Sequence, residues 1–352
     1  MARYDTGNTG YVANGVAPRD DVTERWRSDA SSVHPPAIAD GTAYLSTFEG
    51  VTALDTTDGS EQWRVDLGSE QQTGQPVVHN ARVFVTAPDR RALVALDATN
   101  GETLWQHTAP RPYTTLTLSD GEHIDTPLLI LGGEDGLVQA VHPIDGREAW
   151  RLDVFGRVSD LCVTPYGGGP TLYVGTTGGE VYAYWLQPAE TPSERWRRKL
   201  PGRIDGLTSN GNGAVAKIWG RGVVKLQNAF HAGSTARKAD QTDVAALPVY
   251  ARSRFVGVGS EHVGLLWRAD GELSNSVSFG IGVPAPVAAG DTLYTATESD
   301  IRAFDMNGSG PLSDPKLWTH SLSNVDNFAV ADGALFAVRN PVVDAPGIVC
   351  LE

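Results

Sequence analysis

A phrase that ends in tryptophan recurs along this chain. Ala53-Leu54-Asp55-Thr56-Thr57-Asp58-Gly59-Ser60-Glu61-Gln62-Trp63 returns at Ala95–Trp105 and again at Ala140–Trp150. The step from Trp63 to Trp105 is 42 residues and that from Trp105 to Trp150 is 45. A unit of that length, built on short alternating strands, cannot bury an apolar face alone. It must stack on its neighbours, as the blades of a β-propeller do.

One unit reads as four strands over 34–66, with Asp58-Gly59 turning the third into the fourth because glycine accepts a positive φ. The pattern continues with decay, and the predicted blades lie at about 34–66, 75–108, 124–153, 158–199, 204–240, 245–279, 284–321 and 326–352. The last has three strands and no fourth, while Val22–Ser28 around Trp26 is a fourth strand with no blade. The prediction is one all-β domain over 1–352, an eight-bladed β-propeller of four-stranded antiparallel blades closed by the N-terminal strand. An alternative of seven blades would make the degenerate stretch 204–280 a single irregular one. Ala236 and Asn275 stand there where tryptophan is expected. Phe230 lies in a lengthened connection that fits a binding edge or simple drift equally well. Trp26, Trp63, Trp105, Trp150, Trp196 and Trp318 are the expected docking residues, each ring packing onto neighbouring backbone.

Composition narrows the function. The chain has 42 acidic and 28 basic residues, a formal charge of −14. Such a surface repels nucleic acid and anionic membrane. Lysine is scarce, which matches a halophilic, archaeal composition. No apolar run reaches the ~18–20 residues of a membrane span. Met1-Ala2-Arg3-Tyr4-Asp5 carries no signal peptide, so a cytoplasmic monomer is expected; a start upstream of Met1 would make it exported or cell-surface. Cys162 and Cys350 read as small core residues, Cys350 in the place Ala53 and Ala95 hold.

The Ala-x-Asp-x-x-Asp-Gly-x-x-x-Trp phrase at 53–63 resembles the tryptophan-docking motif of the PQQ-like propeller repeat. Arg3-Tyr4-Asp5-Thr6-Gly7-Asn8-Thr9-Gly10-Tyr11 resembles the opening of such proteins from haloarchaea, where an export or lipoprotein segment usually precedes it. The resemblance implies the fold. It leaves function open, because quinoprotein dehydrogenases and the propeller lipoprotein of the outer-membrane barrel-assembly machinery share the repeat. A dehydrogenase needs a quinone, an oxygen-ligated Ca²⁺ and a carboxylate base. The blades here are near minimal and the cysteines single, so PQQ and other cofactors are not expected.

Stacking the predicted inner strands aligns His34 with Gly74, Asp125, Asp160, Asp205, Ala245, Pro284 and Asp326. Asp125, Asp160 and Asp205 fall in consecutive blades and form a candidate Ca²⁺ or Mg²⁺ site, with His34 and Asp326 on the same channel-mouth binding face. The competing reading is that aspartate before a strand bonds backbone N–H groups, and that Arg157 and Arg203 pair with Asp160 and Asp205. No histidine falls in a metal spacing, although His123 and Asp125 could share a strand face. Arg195, Arg197, Arg198, Lys199 and Arg203 form a basic cluster, and Gly167-Gly168-Gly169 carries no phosphate-binding fingerprint. The expected function is non-enzymatic: a scaffold presenting its channel-mouth face to a protein or small ligand. The alternatives are a PQQ/Ca-dependent dehydrogenase and a divalent-cation-binding propeller.

Overall fold

The computed structural model describes the chain apart from residues 1–4, 7, 9, 120–125, 165–169, 188–189, 210–212, 229–232, 240–246, 252–253, 259–261, 268–275, 279–283, 308–315 and 341–345. Asp125, His123, Ala245, Asn275, Phe230 and the Gly167–Gly169 run therefore lie outside the described residues.

Each repeat folds because its strands differ in pattern. In the blade carrying Trp63, Thr42–Ser46 and Gly50–Val51-Thr52-Ala53-Leu54 are buried throughout, as central strands packed on both faces must be. The outer strand Glu61–Asp66 alternates, with Trp63 its buried residue among exposed charges. The turn between them is fixed by Gly59 at φ 74 and by Asp55, whose Oδ1 accepts the Thr57 N–H at 2.7 Å.

Seven sheets are four-stranded and antiparallel. Six are built from consecutive strands, lying at 37–66, 77–108, 113–153, 158–199, 204–239 and 249–278. The seventh joins Val325–Ala331, Ala334–Arg339 and Gly347–Leu351 to Glu24–Ser28, with Trp26 opposite Cys350. The expectation of eight such blades is corrected at the sheet carrying Trp318. That sheet has five strands, Tyr11–Val12 adding parallel to Val287–Ala289. The physical reason is the free inner edge of Val287–Ala289, whose amides need partners that the repeat itself does not provide. The innermost strands touch in sequence order, and Val325–Ala331 touches Ala37–Ala39, which closes the ring.

The blade carrying Trp150 begins earlier than the repeat suggests. Its innermost strand is Tyr113–Ser119 and its second Leu128–Gly133, and the expected start at 124 lies outside the described residues. Tyr113-Thr114-Thr115-Leu116-Thr117-Leu118-Ser119 is itself β-branched and aromatic, which favours a strand there.

Tryptophan joins one blade to the next. Trp26 Nε1 donates to Thr56 O at 2.9 Å, Trp63 to Ala98 O at 3.0 Å and Trp105 to Pro143 O at 3.2 Å. Trp196 donates to Asn228 Oδ1 at 3.0 Å. Each ring lies on the turn glycine of the following blade: a Cβ on Gly59, Gly101 or Gly146 would meet Trp26, Trp63 or Trp105 within 2.7 Å. Trp318 faces the blade in which the chain ends replace the outer turn, and there Pro18 O accepts from Trp318 Nε1 at 3.2 Å and Tyr294 OH at 2.8 Å. Trp150 Nε1 is buried without a partner among the described residues. In the 204–239 blade the register places Arg237, rather than Ala236, opposite Lys225 at the tryptophan position.

Candidate functional site

Because strands alternate in direction, the start of each innermost strand shares one face of the ring with the turn between its second and third strands. This is the mouth face, where the aligned aspartates were expected. They fall at two different positions of a shared bulge. Tyr113, Val158, Ile204 and Val325 each pair with the end of the second strand, and one residue is then skipped before the ladder resumes at Thr115, Asp160, Gly206 and Asn327. Asp160 is thus equivalent to Gly206 and Asn327, whereas Asp205 and Asp326 are equivalent to Ser159.

The Asp160 carboxylate is held by backbone. Its Oδ1 accepts the Leu161 N–H at 2.8 Å, and its Oδ2 accepts the Leu207 N–H of the next blade at 2.7 Å. Thr114 does similar work, donating to Val158 O at 2.7 Å, and Asn327 donates to Val33 O at 2.9 Å. These side chains are latches between neighbouring innermost strands. Asp205 is instead paired with Arg203 at 2.9 Å, and burial pushes the Lys217 ammonium down while Asp205 opposes the shift. Burial alone pushes the Asp326 carboxyl up and the His34 imidazole down to about 4. Among the described residues no three His, Cys, Asp or Glu side chains gather where a metal could be held. Cys162 and Cys350 are buried free thiols, the latter pushed up to about 12 by burial.

The channel itself is crossed by the chain's own N-terminal segment. Thr6 O accepts the Val163 N–H at 2.6 Å and Asn8 Nδ2 donates to Leu161 O at 3.0 Å. Gly10 O then accepts from Ala288 N at 2.8 Å and Val12 O from Gly290 N at 3.0 Å. Two other innermost strands, Ile204–Ser209 and Val249–Ala251, stand between these attachment points on the ring, so the segment runs as a chord. Asn8 is 2% exposed and sits at φ 53, and its Oδ1 has no partner among the described residues. On the other side of the channel a cavity of about 150 Å³ is lined by Pro35–Ala39, Gln75, Val78 and Phe328–Ala331. The Arg3–Tyr11 motif carried the family resemblance in sequence; nothing in its composition announced that Thr6, Asn8 and Gly10 would bond to innermost strands.

Sequence reasoning also passed over three exposed rings on the mouth face among the described residues, of which Phe48, 54% exposed, lies in the turn between Thr42–Ser46 and Gly50–Asp55. Phe155 is 76% exposed in the connection leaving the Trp150 blade, and Trp219 is 63% exposed in the turn between Gly213–Ile218 and Gly222–Gln227. The ground between them is mostly backbone. A Cβ on Gly156 would face Thr176 and Gly178, one on Gly179 the carbonyls of Leu200 and Gly202, and one on Gly202 the Trp219 carbonyl. The Arg203 guanidinium lies 4.3 Å over the Trp219 ring. Arg203 and Lys199, both from the basic cluster, border this strip, with Lys199 paired to Glu180 at 2.9 Å. No helix among the described residues is long and apolar enough to cross a membrane.

Comparison with known proteins places this geometry. The family described as outer membrane protein assembly factor BamB matches residues 10–157 and 134–347. Proteins of that name from Yersinia pestis and Shewanella oneidensis are each 26% identical, over 152 and 197 residues respectively. Those alignments take in 42% and 51% of this chain, and 36% and 49% of the relatives, so the chain spans about half or less of their length. Among solved structures, the computationally designed Ika8 protein aligns with a TM-score of 0.73 at 14% identity, over 93% of this chain and 98% of that one. BamB from Moraxella catarrhalis aligns with a TM-score of 0.52 at 17% identity, over 82% and 84%. The quinohemoprotein alcohol dehydrogenase ADHIIG from Pseudomonas putida HK5 aligns with a TM-score of 0.65 at 13% identity, over 100% and 81%. At such identities these structures speak for the fold alone. With matches that run from residue 10 to residue 347, the chain belongs to the PQQ-like β-propeller family described as outer membrane protein assembly factor BamB.

Proposed function

We propose that this chain is a non-enzymatic scaffold that receives a protein partner on its mouth face, with Phe155 and Trp219 as apolar anchors. The observation that carries the reading is the pair of exposed rings flanking a strip floored by glycines. Large apolar side chains left in water beside accessible backbone mark association surfaces on soluble folds. The ionisable groups nearby are engaged with one another or with backbone amides, an arrangement that suits a rigid platform better than proton transfer.

The relatives support the same reading, since their name describes assembly factors. The words outer membrane in that name favour the exported or cell-surface alternative over the cytoplasmic one. The likeness to an alcohol dehydrogenase is a likeness of fold and adds no catalytic residue to this chain.

A photo-crosslinking amino acid placed at 155 or 219, in the native host, should form a discrete adduct with one protein. The same probe at Ile144, exposed in a turn on the opposite face, should not. Equal labelling from 144, or none from 155 and 219, would remove the mouth face from consideration.

A further inference from the structure

We propose that the channel of this propeller is a strand-binding site whose resident ligand is the chain's own Thr6, Asn8 and Gly10–Val12, held by exchangeable contacts that an extended peptide of the same kind can take over. The site has two halves. On one side the innermost strand Val158–Thr164 turns Leu161 O and Val163 N toward the channel, and these meet Asn8 Nδ2 and Thr6 O. On the other, Val287–Ala289 and the adjoining Gly290 offer the Ala288 and Gly290 amides to Gly10 O and Val12 O, the register of a parallel pair. Tyr11 OH adds a bond to Gly290 O at 3.2 Å. This is β-augmentation performed within one chain: main-chain bonds give the affinity, and shape at the narrow places gives the selectivity.

The ligand class follows from the contacts. It is an extended peptide with asparagine at a position of positive φ, where that residue is tolerated and most others are strained. The contacts are also incomplete, which makes the segment displaceable. Among the described residues Asn8 Oδ1 is buried without a partner, and the added strand is only two residues long.

Hydrogen exchange on the full chain tests the seating first. The Val163, Ala288 and Gly290 amides depend on the segment, whereas those of Cys162 and Ala289 face their own second strands. The first three should be protected, and should lose at least about tenfold of that protection in the Asn8→Ala/Tyr11→Ala variant while the other two keep theirs. Exchange of those three in the native chain at the rate of open amides would overturn the proposal. A labelled synthetic peptide of the Asp5–Val12 sequence then tests exchange. It should bind the Asn8→Ala/Tyr11→Ala variant at least about tenfold more tightly than the native chain, because the resident competitor is weakened. It should not bind a Val12→Cys/Ala289→Cys variant locked by a disulfide between these register partners. Equal binding to the locked and weakened proteins, or binding to neither, would reject the exchangeable site. The exchange measurement on the native chain stands even where a variant fails to fold.

Discussion

Trp63 and Gly101 belong to different blades and form one joint, the ring lying where a Cβ on the glycine would come within 2.7 Å of it. Gly101 also holds φ 75, so the position resists a side chain for two separate reasons. Gly101→Ala should lose about 2–3 kcal/mol, the sum of a left-handed alanine and a displaced ring. Gly220 has φ 67 but open space around it, and Gly220→Ala should lose only about 1 kcal/mol. Denaturant unfolding of the two variants measures the difference; equal losses would mean that the ring contact contributes nothing.

The tryptophans themselves separate packing from hydrogen bonding. Trp63→Phe removes the bond to Ala98 O, a carbonyl that keeps the Tyr44 O–H at 3.2 Å, so the loss beyond the change in volume should be that of one shared hydrogen bond, about 0.5–1.5 kcal/mol. Trp150→Phe removes an N–H that has no partner among the described residues, so its loss should be smaller. Thermal unfolding of both variants checks the order.

Much of this was readable in advance, and the failures have local causes. The docking phrase located the tryptophans, and Cys350, read as the counterpart of Ala53, lies opposite Trp26 as Ala53 lies opposite Trp63. The closing role of the strand around Trp26 followed from a missing fourth strand. What the alignment missed was the register of one strand: Val158, Ile204 and Val325 are equivalent and carry the same bulge, so Asp160 falls one position beyond Asp205 and Asp326, a shift that leaves no mark in polarity. The fifth strand was invisible for another reason: Tyr11–Val12 pairs with residues about 275 positions away, and two residues carry no periodicity.

Asp160 gives the sharpest test of the latch. Asp160→Ala should strand the Leu207 and Leu161 amides and cost about 2–3 kcal/mol, while Asp160→Asn keeps an acceptor oxygen and should cost less. Ca²⁺ at millimolar concentration should leave the melting temperature of the native chain unchanged. A rise that disappears in Asp160→Asn/Asp205→Asn would restore the cation site.

His34 predicts a pH dependence. An unfolded histidine takes its proton near 6.5, whereas burial holds this one down to about 4. The unfolded chain therefore binds more protons between those values. The stability tied to His34 is complete above pH 6.5 and declines as the pH falls toward 4. The full decline is at most about 3 kcal/mol, and solvent at the channel mouth reduces it. Asp326, pushed up by burial, works in the opposite sense and is relieved by acid. His34→Gln should flatten the melting-temperature profile between pH 7 and 4.5; an unchanged slope would assign the acid sensitivity elsewhere.

The joints have a direction. Each blade gives its tryptophan to the one that follows and its turn glycine to the one before, so a joint is encoded by two repeats and owned by neither. The 204–239 blade still receives Trp196 on Gly233, yet places Arg237 where it would hand on a tryptophan of its own. With arginine at that position, no tryptophan constrains the sequence of the next repeat's turn. Sequence decay in such a ring should then spread from one repeat to its successor rather than in both directions, and the stretch after 239, where the phrase fades, lies on the side this polarity exposes.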